Sequence, residues 1–123
     1  MTRPIHPATD PSQFLRGRLT ADLTAAMKAR QPTAVSTLRS LMAAIDNAEA
    51  VPISAAPAAV NGLSRDVPRK VLSDSDIQAI LVREAYECRK ALGDYERLGQ
   101  VEAAAAMRVA LDLIEGYRAE LYG

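Results

Sequence analysis

The feature of this sequence that most constrains its fold is a helical repeat of apolar residues in four separate segments. An apolar residue at every third or fourth position makes one stripe along an α-helix, and that stripe must be buried against another element. Alanine and leucine dominate the composition, tryptophan is absent and Phe14 is the only phenylalanine. Because strands favour β-branched and aromatic residues, this composition also predicts an all-α chain.

Proline, glycine and capping residues set the ends of the predicted helices. Proline occurs seven times up to position 68 and nowhere after it. Ser12 is the expected N-cap of the first helix, and Ser73 with Asp76 is expected to open the third. Gly99 is expected to follow the end of the third helix in a left-handed conformation. The predicted helices span residues 12–30, 33–49, 73–98 and 101–121.

Each predicted helix has one apolar stripe that should face the core. The main stripe positions are Leu15, Leu19, Leu23 and Met27; Val35, Leu38, Leu41, Met42 and Ile45; Ile77, Ile80, Leu81, Ala85, Cys88, Leu92, Tyr95 and Leu98; and Ala104, Met107, Leu111, Ile114 and Tyr117.

Short connections join the first helix to the second and the third to the fourth, which favours two antiparallel hairpins. The segment 50–72 is rich in alanine, proline and serine and is predicted to be a long mobile loop. Residues 1–11 are predicted to be a flexible tail, and residues 12–123 a single domain. The predicted fold is therefore an all-α four-helix bundle, built from two helical hairpins with a long loop between helices two and three.

The titratable residues offer no recognisable catalytic or metal-binding constellation. His6 is the only histidine and Cys88 the only cysteine, so a Cys/His zinc cluster cannot be built within the chain. Cys88 falls on the apolar stripe of the third helix, where we interpret it as a packing residue. We expect a non-enzyme with no cofactor, no metal and no membrane segment, in a reducing, cytoplasmic compartment.

Charge is balanced overall but not along the chain. Residues 1–72 contain nine Lys/Arg and five Asp/Glu, whereas residues 73–123 contain six and ten. Lys28, Arg30 and Arg39 could form a basic patch at one end of the first hairpin, or could serve only as helix-capping and solvated charges. On the third helix a run of charges alternates in sign at a 4-3-4-3 spacing, which favours a solvated ladder of ion pairs. The run is Arg83, Glu87, Lys90, Asp94 and Arg97.

Both halves of the chain resemble GatB/YqeY-type domains. In the first half the resemblance lies in segments 19–30 (LTADLTAAMKAR), 37–45 (TLRSLMAAI) and 47–49 (NAE). In the second half it continues through segments 72–74 (LSD) and 95–99 (YERLG). Single residues that match are Arg83, Glu84, Arg89, Arg108, Glu115 and Tyr117.

The resemblance implies a helical bundle that is usually followed by a smaller three-helix domain. The family's Tyr-Leu-Pro hinge is replaced here by Tyr117-Arg118-Ala119, an acidic position of the last helix is Ala110, and the second domain is not expected. Such domains are similar to the tail of the B subunit of tRNA-dependent amidotransferases, where the tail helps to hold tRNA. The implied function is an accessory module for tRNA or a tRNA-processing complex, and the expected phosphate contacts are Lys28, Arg30, Arg39, Arg83 and Arg89.

A protein-interaction or scaffold domain with no nucleic-acid role is the alternative interpretation. The neutral net charge and the alanine-rich helix faces, which permit close approach of another helix, favour it.

Overall fold

The computed structural model describes residues 10–50 and 69–123, which form four α-helices and contain no strand. α1 packs along α2 and α3 packs along α4, so two helical hairpins form the predicted four-helix bundle. Residues 1–9 of the predicted tail (1–11) and residues 51–68 of the predicted loop (50–72) lie outside the described residues, and Pro11 belongs to the first helix and not to a tail. The helices are α1 (Pro11–Lys28), α2 (Pro32–Glu49), α3 (Asp74–Arg97) and α4 (Val101–Tyr122).

The N-cap of the first helix lies two residues earlier than predicted. Asp10 is the N-cap, and its carboxylate accepts a hydrogen bond from the backbone N–H of Gln13 at 2.8 Å. Pro11 fits the first helical position, where no backbone N–H is needed. The prediction of Ser12 as N-cap is wrong because its side chain is buried and donates a hydrogen bond to Glu49 at 2.9 Å.

The start of α3 confirms the prediction made from its sequence. The Ser73 hydroxyl accepts from the Asp76 backbone N–H at 3.1 Å, and the Asp76 carboxylate accepts from the Ser73 backbone N–H at 2.9 Å. These reciprocal bonds form a capping box, which satisfies two backbone donors that the helix itself leaves free.

Both hairpins reverse through a three-residue connection with the same hydrogen-bond pattern. After α1, the N–H groups of Arg30 and Gln31 donate to Met27 and Ala26. After α3, the N–H groups of Gly99 and Gln100 donate in the same way to Glu96 and Tyr95. This is the Schellman motif, in which the first residue after the cap is left-handed.

The predicted stripes form the core. Leu19, Ile45, Ile77 and Leu81 are fully buried, and Ile114 of α4 completes the cluster at 2% exposure. The prediction of burial is wrong at two stripe positions, since Met27 is 51% exposed and Leu98 is 69% exposed. Both lie at the last turn or the end of their helices, where the chain reverses and no described helix covers the stripe.

A buried carboxylate joins the end of α2 to the start of α1 and to the chain entering α3. The Glu49 side chain is 8% exposed and accepts hydrogen bonds from Ser12 at 2.9 Å, Arg16 at 2.7 Å and Arg69 at 2.9 Å. Its backbone carbonyl accepts from Lys70 at 2.8 Å. Because a buried charge is tolerated only when it is well paired, this cluster fixes one end of the bundle.

Side chains alone connect α1 to α4, because the two backbones do not approach closely. The buried Tyr117 donates its hydroxyl to Asp22, and the Arg18 guanidinium lies 5.7 Å from the centroid of the Tyr117 ring. Arg18 also pairs with Glu120. Burial and then the hydrogen bond to Asp22 raise the pKa of Tyr117, so its hydroxyl remains a donor.

Removing the buried carboxylate should destabilise the bundle far more than removing an exposed one. Glu49→Ala removes the acceptor of Arg69 and one of two acceptors of both Ser12 and Arg16, which keep Asp10 and Asp46. The loss of this buried acceptor should cost about 2 kcal/mol of unfolding free energy. Glu96→Ala, which removes a 2.6 Å exposed pair with Arg108, should cost no more than about 0.5 kcal/mol. Urea unfolding of both variants measures the difference, and equal losses would contradict the structural role of Glu49.

The Arg18–Glu120 pair should make the free energy of unfolding depend on pH in the acidic range. The hydrogen bond from Arg18 lowers the pKa of Glu120 in the folded chain. A lowered folded-state pKa contributes stability above the unfolded-state pKa, and this contribution is lost as pH falls through the folded-state value. Arg18→Met should therefore reduce the loss of unfolding free energy between neutral pH and about pH 3. The control Arg97→Met affects a pair within α3, so the loss that comes from the Arg18–Glu120 pair should remain. An unchanged pH dependence in Arg18→Met would contradict this assignment.

Candidate binding site

Two of the predicted basic residues lie together at the turn between α1 and α2. Arg30 and Arg39 line one groove of about 950 Å³, together with Met27 and Val35. Lys28 lies in the last turn of α1 and is exposed, but does not line the groove. The end of the first hairpin therefore brings two of these three cations to one groove, and Lys28 lies outside it.

The arginines of this patch differ from most others in the part of the chain that the structure describes. Arg30, Arg39 and Arg83 form no ion pair with any described carboxylate. Residues 23–45 contain no Asp or Glu, so the chain on either side of the turn supplies no acidic partner; the carboxylate that lies by the turn is Asp112 of α4, which forms no described ion pair with these arginines. The arginines that do form ion pairs are Arg16, Arg18, Arg69, Arg89, Arg97, Arg108 and Arg118.

The two predicted contacts on α3 do not line the groove. Arg83 is exposed, and Arg89 pairs with Glu115 of α4 at 2.9 Å. This hydrogen bond, assisted by Arg118, lowers the pKa of Glu115. A ligand that recruits Arg89 must therefore compete with a carboxylate, whereas a ligand at Arg30 or Arg39 need not.

Of the ion pairs predicted along the charged run of α3, one forms within the described residues. Arg97 pairs with Asp94, whereas Arg83, Glu87 and Lys90 make no ion pair there. Exposed pairs are weak and their long side chains lose entropy when they are held, so a favourable spacing does not compel pairing.

Arg30 adopts a backbone conformation that is uncommon for its residue type. Its φ of 57° is left-handed, as is the φ of 70° at Gly99 in the equivalent position of the second hairpin. For a residue with a Cβ atom this conformation costs about 1–2 kcal/mol relative to glycine. The first turn thus keeps a cationic side chain where glycine would be more stable.

A second groove, of about 590 Å³, lies at the same turn, between α2 and α4. Gln31 and Pro32 line both grooves. Ala34, Val109 and Leu113 add apolar surface to the second, which Asp112 also lines. No side chain caps the N-terminus of α2. The turn is consequently flanked by apolar surface as well as by positive charge.

The described residues contain no group of three or more His, Cys, Asp or Glu side chains placed to hold a metal ion. Cys88 is half-buried against the core, as predicted for a packing residue, and burial raises the pKa of its thiol. A raised pKa reduces the thiolate fraction at neutral pH. Among the described helices, none combines the length and the apolarity that crossing a membrane requires.

Comparison with known proteins gives no relative: no protein-family model matches the chain, and neither does any curated protein or solved structure. The resemblance to GatB/YqeY-type domains therefore stays a prediction from the sequence.

Replacing Arg30 and Arg39 with glycine should change stability in opposite directions. Arg30→Gly relieves the left-handed backbone and should raise the free energy of unfolding by about 0.5–1 kcal/mol. Arg39→Gly introduces glycine into the interior of α2 and should lower that free energy by about 1 kcal/mol. Urea unfolding tests both, and a loss of stability in Arg30→Gly would show that its side chain makes a stabilising contact at the turn.

Proposed function

We propose that this protein is a non-catalytic, cytoplasmic accessory module that binds tRNA through the end of its first hairpin. The main phosphate contacts in this proposal are Lys28, Arg30 and Arg39, with Arg83 and Arg89 as outer contacts. The observation that carries the proposal is the pair of arginines at one groove with no described carboxylate to neutralise them.

The chemistry of the patch suits a phosphate backbone. A guanidinium presents several N–H donors in a planar fork that matches phosphate oxygens, and an arginine already free of an ion pair need not break one to bind. The uncapped N-terminus of α2 lies at the same turn and contributes the positive end of a helix dipole. The sequence resemblance to tRNA-holding tail domains supports tRNA as the nucleic acid.

Because the net charge of the chain is zero, the proposed tRNA binding must depend on a local cationic patch. A protein with a broadly basic surface attracts nucleic acid from many directions, whereas a neutral one must rely on a local patch. Binding should therefore depend on very few cations and should fail when they are removed.

A tRNA titration at several salt concentrations tests the proposal. Affinity should fall as salt rises, with a logarithmic slope of about 0.7–0.9 per phosphate contact. The double variant Arg30→Ala/Arg39→Ala should weaken binding by roughly tenfold or more, equal to about 1.4 kcal/mol, and should reduce the slope by about two contacts. Fluorescence anisotropy with end-labelled tRNA measures both quantities.

The matched control is Arg97→Ala/Arg108→Ala, which removes the same charge from the end of the second hairpin. These arginines are exposed and ion-paired, so their loss should leave tRNA affinity nearly unchanged. Absence of salt-dependent binding by the wild-type chain at low salt would reject the proposal. Equal losses in the two double variants would reject the assignment of the patch.

A further inference from the structure

The groove beside Arg30 and Arg39 continues along one side of α2. The groove-lining residues of α2 recur at helical spacing and make a straight stripe about 17 Å long, or about three turns. The buried residues of α2, such as Leu38 and Ile45, recur on the opposite side of the helix. The α2 residues of the stripe are Pro32, Val35, Ser36, Arg39, Ser40 and Ala43.

The lining of this stripe suits close approach of another helix. Ser36, Ser40 and Ala43 have small side chains, which permit a short distance between helix axes, within the usual 8–10 Å. Met27, half-exposed at 51%, and Val35 supply apolar surface at the end near the turn. Phosphate groups make no favourable contact with these small and apolar side chains. Binding of tRNA therefore does not explain why they line the groove.

Charge restricts what can occupy the groove. Arg30 and Arg39 line it, and residues 23–45 supply no carboxylate. A second copy of the chain that docked through the same face would bring arginines against arginines. The complementary occupant therefore carries its own carboxylates beside an apolar stripe.

We infer that the groove docks an acidic amphipathic helix of another protein. Apolar side chains at i, i+3 or i+4, and i+7 of that helix lie on the floor formed by Val35, Ser36 and Ser40. Its flanking carboxylates pair with Arg30 and Arg39. This inference goes beyond tRNA binding and does not require it, but the shared arginines make the two ligands mutually exclusive.

The test is a selection from a phage-displayed library of helical peptides, each about three turns long, on the immobilised full-length chain. The library is counter-selected on Ser40→Phe, which fills the groove. Ser40 is exposed, so this variant should keep the wild-type circular dichroism spectrum and unfolding midpoint. Peptides enriched on the wild-type chain should share aspartate or glutamate beside leucine, isoleucine or valine at helical spacing.

An enriched peptide is then measured by fluorescence anisotropy. Arg39→Ala and Ser40→Phe should each weaken its binding by roughly tenfold or more, and Arg108→Ala should change it by less than about twofold. Excess tRNA should displace the peptide if both proposals hold. The inference is overturned if no sequence distinguishes the wild-type chain from Ser40→Phe, or if the enriched peptides lack acidic residues.

Ser40→Phe also separates this inference from the proposed function. The added ring blocks the groove floor without removing a cation, so tRNA affinity should stay within about twofold of the wild-type value. If Ser40→Phe abolishes tRNA binding as well, the floor belongs to the RNA site and the peptide inference fails. If tRNA does not bind at all but acidic peptides do, the proposed function fails and this inference stands.

Discussion

The structure depends first on burial of apolar stripes from all four helices in one cluster. Leu19 of α1, Ile45 of α2 and Leu81 of α3 are fully enclosed, and Ile114 of α4 closes the cluster. Burying a side chain of this size contributes about 1.5–3 kcal/mol, which is large against the net stability of a small domain. Exposed positions that neither join this cluster nor hold the ion pairs between elements can serve another purpose, and the groove along α2 lies on one such side.

Charge on the bundle is divided between two uses. Half of the ten described arginines join elements: for example, Arg16 and Arg69 hold Glu49, and Arg18 bridges α1 to α4. Arg30 and Arg39 join nothing in the part of the chain that the structure describes, and Arg30 also occupies a left-handed position where glycine costs less. A strained, unpaired cation beside an apolar groove is a cost to folding that ligand binding would explain.

Much of the fold could be predicted because its signals are local in the sequence. The α3 capping box needs only Ser73 and Asp76 three residues apart, and Gly99 marks the end of the same helix. The apolar spacing also identifies Leu15, Leu38 and Ile77 as core residues. It fails at Met27 and Leu98, because periodicity cannot reveal where a stripe runs past the neighbouring helix.

The sequence by itself determined four helices, two short reversals and a cluster of cations near the first reversal, because periodicity, caps and charge act over a few residues. Tertiary structure decided which cations pair. Glu49 is distant in sequence from Ser12 and Arg16, and Arg89 meets Glu115 only because α3 and α4 pack antiparallel. An ion pair between helices depends on their packing, so only the folded bundle separates the arginines that hold it together from those left for a ligand.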